Sequence, residues 1–319
     1  AFIAPVAGYY STTDDRMLSM PFNSSTTVLY WNKEAYKKAG LDPEKGPKTW
    51  PEVEQHARKL AATGLYKASL ASAWMSWIQL ENFSAWHNLP FGTKENGMGG
   101  LDSEFTLNGP YQVRHIEMLN QWQKDKMFAY VGRAGAGNVF FSNGEIPMMF
   151  ESSAGYAGFK ATCKFEFGVT ALPYYPDIPG APQNSIIGGA SLWVLNGRKA
   201  EEYKGVTRFL AFLSQPELQA EWHQFTGYVP ITTAAYELSR KQGFYDKNVG
   251  MDIAIKQLMN KKPTANSKGL RFGYFVQMRD ILDETFEAIF AGKVTTKQGL
   301  DDAVKKGNDL LRQFERVNR

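Results

Sequence analysis

Thiols and imidazoles are scarce in this chain of 319 residues: it has one cysteine, Cys163, and four histidines. A single cysteine excludes an internal disulfide framework, and so sparse a use of thiols suits an oxidising compartment as well as a reducing one. His56, His87, His115 and His223 are scattered, with none at helical i,i+3 or i,i+4 spacing from another, so no metal cluster is spelled by spacing. Packing or surface roles suit all four, and Cys163 reads as a buried, inert thiol. No apolar run approaches the ~18 residues that a membrane-spanning helix needs. Charge of one sign is missing too. The net charge is +4 with both signs interspersed, and pairs such as Lys261-Lys262 and Lys305-Lys306 read as solvated faces rather than a nucleic-acid footprint.

Catalytic signatures are equally thin. There is no Gly-x-Ser-x-Gly, no Walker loop and no His-Glu-x-x-His. Gly132-Arg-Ala-Gly-Ala-Gly137 lacks dinucleotide-binding spacing and reads as a mobile loop. Nothing calls for a cofactor or a metal, and an enzyme is not expected.

What is present is an ordinary globular composition, 43 % hydrophobic and 21 % charged. Thr49-Trp-Pro-Glu52 is a capping box followed by Trp50, Val53, Ala57 and Leu60 at helical spacing. Further helices are expected over Glu201 to Leu213, with Val206, Phe209, Leu210 and Leu213 on one side, from Pro216 to Gly227, over Asp280 to Phe290, and after the capping box Thr295-Thr-Lys-Gln298. Strand-like runs lie at Thr27–Trp31, Ile146–Phe150, Phe167–Leu172 and Ala190–Leu195, and Pro173 to Pro182 reads as a surface loop. Alternation of the two patterns predicts an α/β architecture.

One stretch, Ala71 to Trp86, carries Trp74, Trp77 and Trp86 interleaved with Ser, Gln, Glu and Asn. Spacings of three and nine can bring these rings to similar sides of a helix. Such rings suit a pocket for a small polar solute, and three core tryptophans explain them equally well. Small polar residues beside glycine recur at strand ends: Phe22-Asn-Ser-Ser-Thr-Thr27 before one, Glu151-Ser-Ser-Ala-Gly155 after one, and Ile187-Gly-Gly-Ala-Ser191 entering one. Such places expose N–H groups and hydroxyls to anionic oxygens, although caps and turns use the same residues. Arg279, near a helix start, is either an anion ligand or a surface ion pair.

Together these segments resemble the solute-binding proteins of bacterial ABC importers, and within them the periplasmic receptors for sn-glycerol-3-phosphate. The resemblance runs colinearly from about Gly8 to the C-terminus. It rests on Pro21-Phe-Asn-Ser-Ser-Thr26, Leu29-Tyr-Trp-Asn-Lys33 with Lys38 to Pro43, Trp77 to Trp86, Ala181-Pro-Gln-Asn184 with Ile186 to Val194, Glu221-Trp-His-Gln224 with Thr226-Gly-Tyr228, and Lys268-Gly-Leu-Arg271. It implies a type II Venus-flytrap fold: two α/β lobes that close over the solute and dock on permease subunits at the periplasmic face. Carried over by position, the ligand contacts are Ser25, Ser152, Gly189, Tyr228 and Arg279, with Trp74 and Trp77 as the aromatic part. Arg279 would supply charge-assisted hydrogen bonds to a phosphate ester, and a choline head would suit the indoles through cation–π attraction.

The resemblance assigns 1–25 and 190–232 to lobe 1 and 26–189 and 233–319 to lobe 2. Lobe 1 then lacks the family's N-terminal βαβ stretch, with a tyrosine and a glutamate that serve the glycerol end, so the protein as made is expected to be longer. The expected function is binding of sn-glycerol-3-phosphate or diesters such as glycerophosphocholine by a monomer, without chemistry. An oligosaccharide receptor is the alternative, and a glycerophosphodiester hydrolase a more distant one.

Overall fold

A computed structural model describes residues 1–319. Its main sheet has the order β4-β3-β5-β2-β6, formed by β2 (Thr27–Asn32), β3 (Leu70–Ser72), β4 (Phe128–Tyr130), β5 (Met148–Ser152) and β6 (Phe167–Thr170). Strand β3 runs parallel to both β4 and β5, whereas β2 is antiparallel to β5 and β6. The sequence Thr-Val-Leu-Tyr-Trp-Asn explains the central place of β2. All six residues are buried, and β-branched and aromatic side chains fill both faces of a pleated strand.

The period of two then separates two cores. Leu29 and Trp31 pack on one face with the helices Trp50–Ala62, Pro110–Lys124, Phe275–Phe290 and Thr296–Asn318. Val28 and Tyr30 pack on the other with Phe141, Tyr156, Phe159, Ala254, Ile255 and Leu258. A three-layer α/β/α unit results. Both predicted N-caps form, Thr49 Oγ1 accepting the Glu52 N–H at 3.3 Å and Thr295 Oγ1 that of Gln298 at 3.2 Å, but the reciprocal half of each expected capping box does not, and Glu52 Oε2 accepts the Lys48 N–H instead.

A second, two-stranded sheet pairs β1 (Met20–Ser25) with β7 (Gly188–Leu192) in antiparallel register. Strand β1 passes straight into β2 through Thr26, which has no exposed surface. There Thr26 Oγ1 donates to the Ile186 carbonyl at 2.9 Å, lies 2.7 Å from Ser185 Oγ, and the Ser153 N–H donates to the Thr26 carbonyl at 2.7 Å. The segments that join the two sheets are therefore tied to each other at the crossing.

Several expectations need correction. The segment Phe22–Ser25 does not merely precede a strand but lies within β1. Pro173–Pro182 is irregular but not wholly superficial, because Tyr175 and Ile178 are buried. Cys163 is only half-buried at the end of helix Gly155–Thr162, and partial burial raises its thiol pKa. Helix Ala200–Leu213 forms, yet none of its residues is buried, and Phe209 and Phe212 stand more than half exposed, as do Trp193 and Leu195 nearby. Phe209, Phe212 and Leu213 line an open groove with Met20, Pro21 and Phe22 of the small sheet.

Candidate functional site

Three parallel strands, β3, β4 and β5, end at the same edge of the large sheet, and the segments that follow them face the small sheet. Ligands of open α/β sheets bind outside such carboxyl ends. After β3 come Trp74, Ser76 and Trp77; after β4, Arg133, Ala134, Gly135 and Asn138; at the end of β5, Glu151, Ser152, Ala154 and Gly155. From the opposite side β1 brings Asn23 and Ser25, and β7 brings Gly188, Gly189 and Ala190. Tyr228 closes one end, and Arg279 and Asp283 reach in from helix Phe275–Phe290. They enclose a cleft of about 630 Å³. All seven sequence-predicted site residues, Ser25, Trp74, Trp77, Ser152, Gly189, Tyr228 and Arg279, line it.

Local structure sets what each can offer. Trp74 is not on a helix, contrary to the expected shared helical side. It sits at φ +45° with its N–H on the Ala134 carbonyl at 2.9 Å, and its indole is 44 % exposed. The following turn is a π-helix, Trp77–Asn82, and Trp77 at its start packs in the core while still lining the cleft. Trp77 Nε1 is buried there without a hydrogen-bond partner. Trp86 is a core residue. Of the three tryptophans, Trp74 lines the cleft half exposed, Trp77 lines it almost buried, and Trp86 takes no part in it.

Arg279 lies on one side of the cleft. Its Nε and Nη2 donate to Glu81 Oε1 and Oε2 at 2.8 and 2.7 Å, a bidentate pair. The Glu81 side chain is wholly buried and that of Arg279 is 39 % exposed. Its Coulomb attraction raises the arginine's pKa still further. The guanidinium also lies 4.8 Å from the centre of the Phe275 ring. Held on two sides, it keeps Nη1 for the cleft. Glu81 had no role assigned in the sequence, although it stands inside the Trp77–Trp86 motif; a carboxylate in so apolar a run was the available signal.

Arg133 makes a similar pair with Glu287, at 2.7 and 2.9 Å, in a more exposed place. It belongs to the glycine-rich segment read as a mobile loop. That segment is instead a wall of the cleft and does run into a short helix, Asn138–Ser142. Glu151, also unassigned, is 2 % exposed, and burial pushes its carboxyl pKa up to about 6. Tyr228 follows Gly227, a left-handed helix cap at φ +83°, and its carbonyl is held by His223 Nδ1. Burial lowers the His223 pKa to about 4, so the ring is neutral with Nδ1–H as the donor.

The arrangement gathers hydrogen-bond donors, one anchored guanidinium and one exposed indole around a cleft between two sheets. It holds no activated nucleophile or metal-ligating trio. The family model for bacterial extracellular solute-binding proteins matches residues 1–254. The chain belongs to that family. These solute-binding proteins are periplasmic receptors of ABC importers rather than enzymes; they take up a small molecule and work with permease subunits.

Among its curated relatives are the sn-glycerol-3-phosphate-binding periplasmic protein UgpB of Salmonella typhimurium, 53 % identical over all 319 residues and 73 % of that protein. UgpB of Escherichia coli K12 is 52 % identical over 99 % of this chain and 72 % of its own length. Among solved structures, UgpB from Mycobacterium tuberculosis in complex with glycerophosphocholine shares the fold at TM-score 0.78 and 21 % identity, over 98 % of this chain and 75 % of that one. The cyclic alpha-maltosyl-1,6-maltose binding protein from Arthrobacter globiformis does so at TM-score 0.78 and 19 % identity, over 98 % of this chain and 76 % of its own. This solute-binding protein thus has the two-lobed periplasmic α/β fold, and no helix in it is long and apolar enough to cross a membrane.

Proposed function

We propose that this receptor binds sn-glycerol-3-phosphate or a glycerophosphodiester such as glycerophosphocholine in the cleft and hands it to the permease. The observation that carries the reading is Arg279: a guanidinium fixed bidentately by a buried carboxylate, with donors left over, aimed into a cleft lined by small hydroxyls and glycine. A preorganised fork of this kind matches phosphate oxygens with little further loss of side-chain freedom. Ser25, Ser152 and the Gly189 N–H add neutral donors, Tyr228 a phenol, and Trp74 a face for the carbon skeleton or a trimethylammonium head. Relatives of half-identical sequence carry sn-glycerol-3-phosphate in their names, which supports the same ligand class here.

The lobes of this reading are 1–25 with 190–232, and 26–189 with 233–319, working as a monomer. Ser25 and Tyr228 then face Trp74, Ser152 and Arg279 across the cleft, with Gly189 at the boundary between the lobes. A ligand held by both sets favours the closed arrangement by whatever affinity it gains there.

The half-exposed Trp74 and the shared fold of maltose-type receptors favour a second reading, an oligosaccharide receptor. Calorimetric titration of the full chain with sn-glycerol-3-phosphate, glycerophosphocholine and maltose separates the two. Micromolar or tighter binding of either phosphate ester, with no heat from maltose, is expected. Heat from maltose alone would replace the phosphate reading with the sugar one.

A further inference from the structure

The charges that line the cleft do not favour an anion as strongly as its two arginines suggest. Arg279 is already matched by Glu81 and Arg133 by Glu287. Two further carboxyls, Glu151 and Asp283, line the same cleft without a cationic partner. Counted with the carboxylates behind the arginines, negative groups outnumber positive ones.

Glu151 is the more unusual of the two. Its Oε1 accepts the Ser152 N–H at 2.5 Å, yet Oε2, shielded from bulk water, has no hydrogen-bond partner within the chain. Such an orphaned buried acceptor costs stability unless something else satisfies it. The wall around it is made of residues that leave it room. A Cβ at Gly135 would come within 3.6 Å of Oε2, and one at Gly155 within 2.9 Å of Cγ. The nearest side-chain donors, the Asn138 amide and the Trp74 indole N–H, approach the carboxyl and lower its pKa against the larger opposite effect of burial.

We propose that Glu151 is a specificity-determining residue of this cleft: its carboxylate, set just beneath the wall beside Trp74 and without a cationic partner, favours through its charge the cationic end of a zwitterionic phosphodiester and penalises a phosphate monoester dianion. The inference rests on the phosphate-ester reading and adds to it a means of choosing among esters. A carboxylate buried just under the cleft surface attracts an ammonium group without touching it, and the exposed Trp74 ring can add to that attraction. A dianion brought against the same carboxylate meets like charge in a partly dehydrated cleft.

Burial places the titration of Glu151 at about pH 6, so the device weakens in acid. The groups that face it are Tyr30 from β2, whose burial keeps the phenol neutral, and the uncharged Trp74, Asn138 and Ser152 N–H. Arg133, Arg279 and Asp283 share the cleft, and burial raises the Asp283 carboxyl too.

The test is calorimetric titration of the full chain and of Glu151→Gln with sn-glycerol-3-phosphate and with glycerophosphocholine, at pH 7.5 and pH 5. The Gln variant leaves the ligand's own titration in place and removes that of the carboxyl. At pH 7.5 the variant should bind the monoester roughly tenfold more tightly and the choline diester several-fold more weakly, a tenfold step corresponding to one like-charge contact at moderate effective dielectric. At pH 5 the two proteins should agree. Glu151→Ala, should Gln fail to fold, must shift the monoester-to-diester ratio in the same direction. A ratio unchanged within twofold overturns the proposal, as does an effect that moves to Asp283→Asn. Wild-type protein that binds neither ester would instead overturn the underlying phosphate-ester reading.

Discussion

Arg279 stood out in the sequence as a cation near a helix start, but its partner did not, because Glu81 lies 198 residues earlier. That partner changes what a mutation would report. Arg279→Ala would remove a phosphate ligand and would also leave a buried carboxylate without its cation. Breaking a buried pair from one side costs about 3–5 kcal/mol, and the low end, about 3 kcal/mol, applies here because the guanidinium is 39 % exposed. Urea denaturation should therefore show Arg279→Ala to be markedly less stable. The double variant Glu81→Gln, Arg279→Gln should regain most of that stability while still failing to bind a phosphate ester. A fully stable Arg279→Ala protein would mean that water or another donor satisfies Glu81. In the same way, Ser25, Ser152 and Gly189 were legible in small polar, glycine-bearing segments at strand ends, and Tyr228 through the family resemblance. Glu151 and Arg133 were not, because their significance lies in what the fold places opposite them.

At the scale of elements, the runs rich in Val, Tyr, Trp and Phe were readable, and the small sheet was less so. Strand β1 contains Pro21 and two serines, and β3 and β4 span three residues each, too short for any period to declare itself. The π-helical turn at Trp77–Asn82 could not be read from a 3.6-residue period either. Glycine does explain the small sheet. Gly189 sits at φ +120°, and a Cβ there would fall 2.2 Å from the Asn23 carbonyl oxygen across the β1–β7 pair. The need for glycine at this site is thus set by strand pairing before any ligand approaches. Gly189→Ala should cost at least about 2 kcal/mol through strain and lost pairing, and should weaken ligand binding by displacing Ser25. Gly205→Ala is the contrasting case, since a Cβ inside helix Ala200–Leu213 meets nothing. It should stabilise by about 0.5–1 kcal/mol. Equal effects of the two substitutions in a urea series would contradict the conformational argument.

For the whole molecule, acid should act through its histidines. His87, His115 and His223 are all buried, and each meets a donor or acceptor at both ring nitrogens. His87 Nδ1 lies 2.8 Å from the Phe83 carbonyl while Nε2 accepts the Tyr175 N–H at 3.0 Å. His115 Nε2 faces Gln79 Oε1 at 2.9 Å, with Nδ1 3.3 Å from the Tyr175 hydroxyl. His223 joins the Tyr228 carbonyl to the Tyr245 hydroxyl, the latter at 2.9 Å. At His87 only a neutral ring can accept the Tyr175 N–H, while at His115 and His223 burial disfavours the charged ring; burial lowers the pKa to about 4 for His87 and His223 and well below the usual value for His115. The unfolded chain therefore binds these protons first. Stability is complete above the unfolded value near pH 6.5 and is lost as pH falls from there through about 4, by as much as about 3 kcal/mol for each of the first two. Glu151 acts in the opposite sense. Its raised pKa means that the folded form takes the proton more readily, so between about pH 6 and 4.5 it returns at most about 2 kcal/mol. The histidines win. Thermal unfolding followed by circular dichroism should show a melting temperature that is nearly level from pH 8 to 6.5 and falls steeply between 6 and 4. His223→Gln should remove part of that fall, since an amide can still donate to Tyr228 without titrating. A melting temperature unchanged down to pH 4.5 would show that these rings are charged or hydrated in the folded protein, and that Tyr228 is not held at the cleft by a neutral imidazole.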